Sequence, residues 1–136
     1  LESEKTTPIS YGDILEKILQ DYNHMDNYRH IFVFTMKRMG IRCIRKKGVD
    51  VLCACTAIRR SGLPITANLV KFILEKKNPG VSFPNIQSAI HILGDKHLLV
   101  LKANRHPMEW TFNSILKDEL VRYNFLKGEP SYDQKV

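Results

Sequence analysis

The chain is poor in the residue patterns that most chemistry requires. Its three cysteines, Cys43, Cys53 and Cys55, are an odd number without disulfide-framework spacing. Cys53 and Cys55 lie two apart in an apolar segment, which reads as packed thiols in a reducing compartment. They are not the two-residue-spaced pair of a zinc site, and no second pair follows. His24, His30, His91, His97 and His106 are scattered, with no spacing that gathers metal ligands on one face. Glycine-rich phosphate loops are missing: Gly94 and Gly128 are isolated, and Gly80 belongs to a Pro-Gly turn. Paired carboxylates occur only at Asp118-Glu119, which diverge if they sit on a helix. A cysteine-histidine nucleophile that meets only in space is the one catalytic arrangement left open. The apolar tract Ile31-Phe32-Val33-Phe34 is four residues long, far short of the roughly 18 that a membrane span needs. The first residues carry no signal-peptide pattern. These absences predict an intracellular protein, nuclear in a eukaryote, with no enzymatic activity, metal, cofactor, small-molecule substrate or membrane contact.

Positive charge is what the chain has in excess, and its placement says more than its total of +7. Residues 1–26 hold two Lys/Arg against six carboxylates, a net −4. Residues 27–94 hold twelve against two, a net +10, and residues 95–136 hold seven against six. The densest part is Lys37, Arg38, Arg42, Arg45, Lys46 and Lys47, six cations in eleven residues without a carboxylate. Such a belt favours a polyanion, because each neutralised phosphate releases condensed counterions. A solvated basic loop is the plainer alternative.

Hydrophobic spacing predicts mostly helix. With 43% apolar residues in 136, one domain with a core is expected over residues 8–126, between tails at 1–7 and 127–136. Pro8 and Ser10 introduce a helix with Ile14, Leu15, Ile18, Leu19 and Tyr22 inward. A second helix runs from Asp26 to Met39 with Tyr28, Ile31, Phe32, Thr35, Met36 and Met39 inward, and Gly40 stops it. The aromatics Tyr11, Tyr22, Tyr28, Phe32 and Phe34 could stack on bases beside Arg29 and His30, but at helical spacing they read as core. Val49 to Arg60 predicts a helix with Val51, Leu52, Cys55 and Ile58 on one stripe, closed by Ser61-Gly62. Leu63-Pro64-Ile65 is extended, and Thr66 caps a helix carrying Leu69, Val70, Ile73 and Leu74. Asn78-Pro79-Gly80 breaks it. Ser82 caps the next helix, with Pro84 in its first turn and Ile86, Ile90 and Leu93 inward. Leu98–Ala103 and Met108–Asn113 then read as a hairpin, because Met108, Trp110 and Phe112 alternate with polar residues. A last helix spans 114–126.

Leu63-Pro64-Ile65-Thr66, the Ser82-to-Leu93 helix and the Leu98-to-Asn113 hairpin together resemble the winged-helix superfamily over residues 49–113. The resemblance implies a mainly α fold with a small β-hairpin: a winged helix at 48–113, two N-terminal helices added within 8–47, and a C-terminal helix at 114–126. A rival resemblance exists. Gly48 to Leu93, with Leu52-Cys53-Ala54-Cys55 and Arg59-Arg60-Ser61-Gly62-Leu63-Pro64-Ile65-Thr66, is similar to a cyclin-fold repeat of general transcription factor B, which requires helices after Leu98.

In the winged-helix superfamily the third helix commonly enters the DNA major groove while the wing touches backbone or minor groove. By position, these roles fall on Ser82–Lys96, with Asn85, Gln87, Ser88 and His91 outward, and on Ala103–Pro107. That helix carries no cation before Lys96. The expected nucleic-acid contacts are therefore Asn85, Gln87, Ser88 and His91 together with the cations Lys37, Arg38, Arg42, Arg45, Lys46, Lys47, Arg59, Arg60, Lys102 and Arg105, whose distribution suits phosphate positioning more than base reading. Two functions are expected from this. The first is a module binding nucleic acid, duplex DNA by its backbone, in transcription, replication or repair. The second is a protein-interaction subunit of a larger complex, pairing with a partner or a second copy through the N-terminal helices.

Overall fold

A computed structural model describes residues 10–41, 45–103, 105 and 107–126. The two tails, Pro8, Arg42, Cys43, Asn104 and His106 lie outside the described residues. The protein is mainly α-helical with one small antiparallel hairpin. Helix α1, Tyr11–Met25, begins where the Asp13 amide donates to Ser10 Oγ at 3.1 Å. Its buried residues Ile18, Tyr22 and Met25 recur at helical spacing. A 3₁₀ turn, Asp26–Tyr28, leads into α2, Arg29–Arg38. The second helix expected from Asp26 is thus divided at Tyr28, whose backbone (φ −112°, ψ 23°) leaves helical geometry. Gly40 ends α2 at φ +77°, and the Ile41 amide donates back to the Met36 carbonyl at 2.9 Å.

Helix α3, Lys46–Arg60, is the centre of the molecule. Val49 and every residue from Val51 to Ile58 are buried, so the helix is enclosed all round where the sequence predicts a single stripe. The reason is that α1, α2, α4, Ala67–Lys77, and α5, Phe83–Asp95, all pack against it. Small residues such as Cys53, Ala54 and Ala57 let these neighbours approach closely. Thr56, the polar residue inside, donates its hydroxyl to the Leu52 carbonyl at 2.8 Å.

After α3, Ile65 forms an isolated antiparallel bridge with Trp110, and Thr66 beside it is also extended. The Trp110 amide donates to the Ile65 carbonyl at 2.9 Å. Strands β1, Leu99–Ala103, and β2, Glu109–Phe112, pair antiparallel, with an irregularity between Leu101 and Ala103. They stand where a cyclin-fold repeat has helices. Leu99 lies opposite Phe112 and Leu101 opposite Trp110, which puts these four side chains on one face. Trp110 packs on α5 at Gly94, where a Cβ would sit 3.1 Å from the indole ring.

Helix α6, Ser114–Arg122, ends before the predicted 126 because Asn124 takes φ +65°. Phe125 still reaches the core, its ring 6.0 Å from Phe32 and 5.2 Å from Tyr28. One buried cluster runs from Ile18 to Phe125, so the two N-terminal helices share the core of the rest. Tyr11 and Phe34 depart from the core reading: they are 58% and 55% exposed, and the Arg38 guanidinium lies over the Phe34 ring. Among the described residues, no helix is long and apolar enough to cross a membrane.

Candidate nucleic-acid interface

Helix α5 is fixed at its start by Ser82, whose hydroxyl accepts from the Asn85 amide, with proline in the first turn. Its buried side, Ile86, Ala89, Ile90 and Leu93, faces the core, so Asn85, Gln87, Ser88 and His91 are exposed as the sequence predicts. They do not form one face. Asn85, Ser88 and Ile92 line a groove of ≈ 460 Å³ whose other wall is Arg45, Lys47 and Gly48, at the start of α3. Gln87 and His91 turn the other way, into a cleft of ≈ 80 Å³ against Asn68 and the hairpin residues Pro107 and Met108. There His91 meets Trp110 edge-on, with ring centroids 5.3 Å apart. Helical spacing explains the split, since 85, 88 and 92 fall on one line and 87 and 91 on another.

The groove brings cations to a helix that has almost none of its own. Arg45 is the N-cap residue of α3 and makes no side-chain cap hydrogen bond; Lys46 and Lys47 occupy the first turn, which contains no acid. All three side chains are exposed, and none has a carboxylate partner among the described residues. A helix N-terminus already carries unsatisfied amides and roughly +0.5 of a charge, so cations there are unfavourable by about 0.3–1 kcal/mol each. An anion in the groove would relieve that repulsion.

The nearest carboxylates are engaged elsewhere. Arg29 donates to both Asp26 and Asp50, and its second amino group donates to the Lys46 carbonyl at 3.1 Å. Lys77 Nζ reaches the other Asp26 oxygen at 2.9 Å. The hydrogen bond from Lys77, then that from Arg29, holds the Asp26 carboxyl below the ordinary carboxylate range against the opposing effect of burial. This network ties α1, α2, α3 and α4 together and leaves the first turn of α3 uncompensated.

No family model, curated protein or solved structure matches this chain.

The remaining predicted site residues separate into two groups. Arg38 donates to Glu119 at 2.7 Å, Arg59 to the Leu63 carbonyl at 2.8 Å, and Arg60 to the Phe125 carbonyl at 2.8 Å. These three hold parts of the chain together. Lys37, Lys102 and Arg105 are exposed, the last two on the hairpin and its turn, and Arg42 lies outside the described residues. Ile92 escapes the sequence reading because it looks like an apolar core residue, yet it is 51% exposed. Its spacing from Asn85 and Ser88 is the signal that could have found it. Of the thiols among the described residues, Cys53 and Cys55 are poor nucleophiles: burial keeps both protonated, pushing Cys53 up to about 12 and Cys55 higher still. Among the described residues, no three His, Cys, Asp or Glu are grouped to hold a metal ion.

Proposed function

We propose that this chain is a winged-helix module that binds duplex DNA chiefly through its phosphates. The order α3, Ile65 bridge, α4, α5 and hairpin is the order of such a unit, with α1 and α2 added before it and α6 after it. The observation that carries the reading is the groove joining Arg45 and Lys47 to Asn85 and Ser88. Arg45, Lys46 and Lys47 neutralise backbone phosphates, and Asn85 and Ser88, which share the groove with Arg45 and Lys47, supply polar groups for base edges. Lys102 and Arg105 add hairpin contacts. Such binding is steep in salt and weak in sequence preference, because phosphate contacts carry no sequence information. The role is intracellular, in transcription, replication or repair, and nuclear where a nucleus exists.

The test is a titration of labelled duplex at about 50 mM salt, repeated with the triple variant Arg45→Glu, Lys46→Glu, Lys47→Glu. Micromolar or tighter binding is expected for the native chain and loss for the variant at unchanged fold. A native chain that leaves the duplex free, or a variant that binds equally well, would sink the reading.

A second reading has its own observation. Ile92 on α5, Val33 and Phe34 on α2 and Ile115 on α6 are large apolar side chains between 38% and 59% exposed. This favours a protein-interaction subunit. One stoichiometric protein partner retained after nuclease treatment, together with no duplex binding, would select it.

A further inference from the structure

The last turn of α3 lines a second groove, of ≈ 670 Å³. Lys17 of α1, Arg59 and Arg60 of α3 and Lys117 of α6 contribute four cations to its walls. Asp21 is the carboxylate among the lining residues, and it is already engaged, 3.6 Å from Arg60 Nε. The surplus is not all open to a ligand, since the carbonyl end of α3 carries about half a negative charge. Arg59 and Arg60 lie in the last turn, where their charge offsets that end, and each donates a hydrogen bond to a carbonyl outside the helix, Leu63 and Phe125. Those bonds also fix two planar guanidinium groups in place while leaving further N–H donors on each, so little order is lost when an oxyanion arrives. Lys17 and Lys117 are exposed and have no carboxylate partner among the described residues, which makes them the charges of the groove still open to a ligand. Thr111 and Asn124 add polar groups at the rim. The equally large cavity between α2 and α6 offers no comparable surplus, because Arg38 and Arg122 both donate to Glu119.

We propose that this second groove binds phosphates of a nucleic-acid backbone, so that each end of α3 carries its own phosphate contact. The identity of the polyanion rests on the function proposed above; the phosphate chemistry of the groove does not. Along α3, 15 residues long, the two sites are about 21 Å apart.

The experiment is amide-resonance mapping on the isotope-labelled full chain, titrated with tripolyphosphate alone and, separately, with a short DNA duplex at low salt. Tripolyphosphate is expected to shift Gly62, Thr111 and Asn124. The duplex is expected to shift the same three together with Gly48, Asn85 and Ser88. In the double variant Lys17→Glu, Lys117→Glu the first set should stop responding while the second still moves. Both substituted positions are exposed, and an unchanged melting temperature confirms the fold. If Gly62, Thr111 and Asn124 stay still with both probes, the second groove is not a phosphate site, whatever happens at the first. Duplex shifts confined to the first groove overturn the second and leave the proposed function standing. Tripolyphosphate shifts at the second groove, with no duplex response anywhere, overturn the nucleic-acid assignment of both.

Discussion

The two ends of α3 both carry cationic side chains, yet these are placed in opposite circumstances. At the start, Arg45, Lys46 and Lys47 meet the positive end of the helix with no carboxylate partner among the described residues. At the finish, Arg59 and Arg60 meet the negative end and donate to main-chain carbonyls. The first arrangement costs stability and the second adds to it. Counting cations cannot separate them; their position relative to the helix and their partners does.

The largest effect that would sharpen this contrast is on binding. Charge reversal at Arg45, Lys46 and Lys47 should weaken duplex affinity on the order of a hundredfold at low salt. The same variant should unfold at a higher temperature, since carboxylates suit a helix N-terminus by about 0.3–1 kcal/mol each. Loss of both affinity and stability would instead assign these residues a structural part.

Next is Arg29→Met, which removes the group that occupies Asp26 and Asp50. Stability should drop by about 2–3 kcal/mol, the scale of charged hydrogen bonds lost from a part-buried network. Duplex binding should weaken several-fold, because Asp50 is released beside the first turn. Denaturant melts and the same titration read both quantities. If affinity does not change while stability falls, the released carboxylate does not reach the groove.

Arg60→Met tests the other end. It removes the donor to the Phe125 carbonyl and the contact with Asp21, and should cost about 1.5 kcal/mol. A melting temperature equal to that of the native chain would mean that the last-turn cations are not structural.

The smallest effect is on pH dependence. The folded pKa of Asp26 is depressed, so its contribution is fully present above the unfolded value of about 3.9 and is lost as pH falls toward the folded value. Lys77→Met lessens the depression, so the fall in melting temperature below about pH 4 should be shallower than in the native chain. An identical acid profile would show that Lys77 does not hold Asp26 in solution.

Much of the fold is legible in the sequence because its signals are local. Ser10, Thr66 and Ser82 cap the helices that follow them, Gly40 stops α2, and the alternation around Trp110 gives the hairpin. What is not legible depends on distant partners. Arg38 meets Glu119 across 81 residues and Arg60 meets Phe125 across 65, so nothing near either arginine in the chain reveals its partner. The enclosure of α3 is hidden for the same reason: small residues on the face away from its main stripe look tolerant of water until α1 covers them. The candidate interface is only half visible. The exposed side of α5 follows from its period, but its division into two lines, and the arrival of Arg45 and Lys47 beside one of them, require the packed chain.

The chain has one tryptophan, and Trp110 lies where the hairpin, α5 and the Ile65 bridge converge, edge-on to His91. An indole in that position is an optical probe supplied by the protein itself. Any ligand that draws the hairpin toward α5, or turns His91 out of the cleft, alters the surroundings of the only indole and hence its emission. Occupancy of this side of the molecule can therefore be followed by intrinsic fluorescence, without a label on either component.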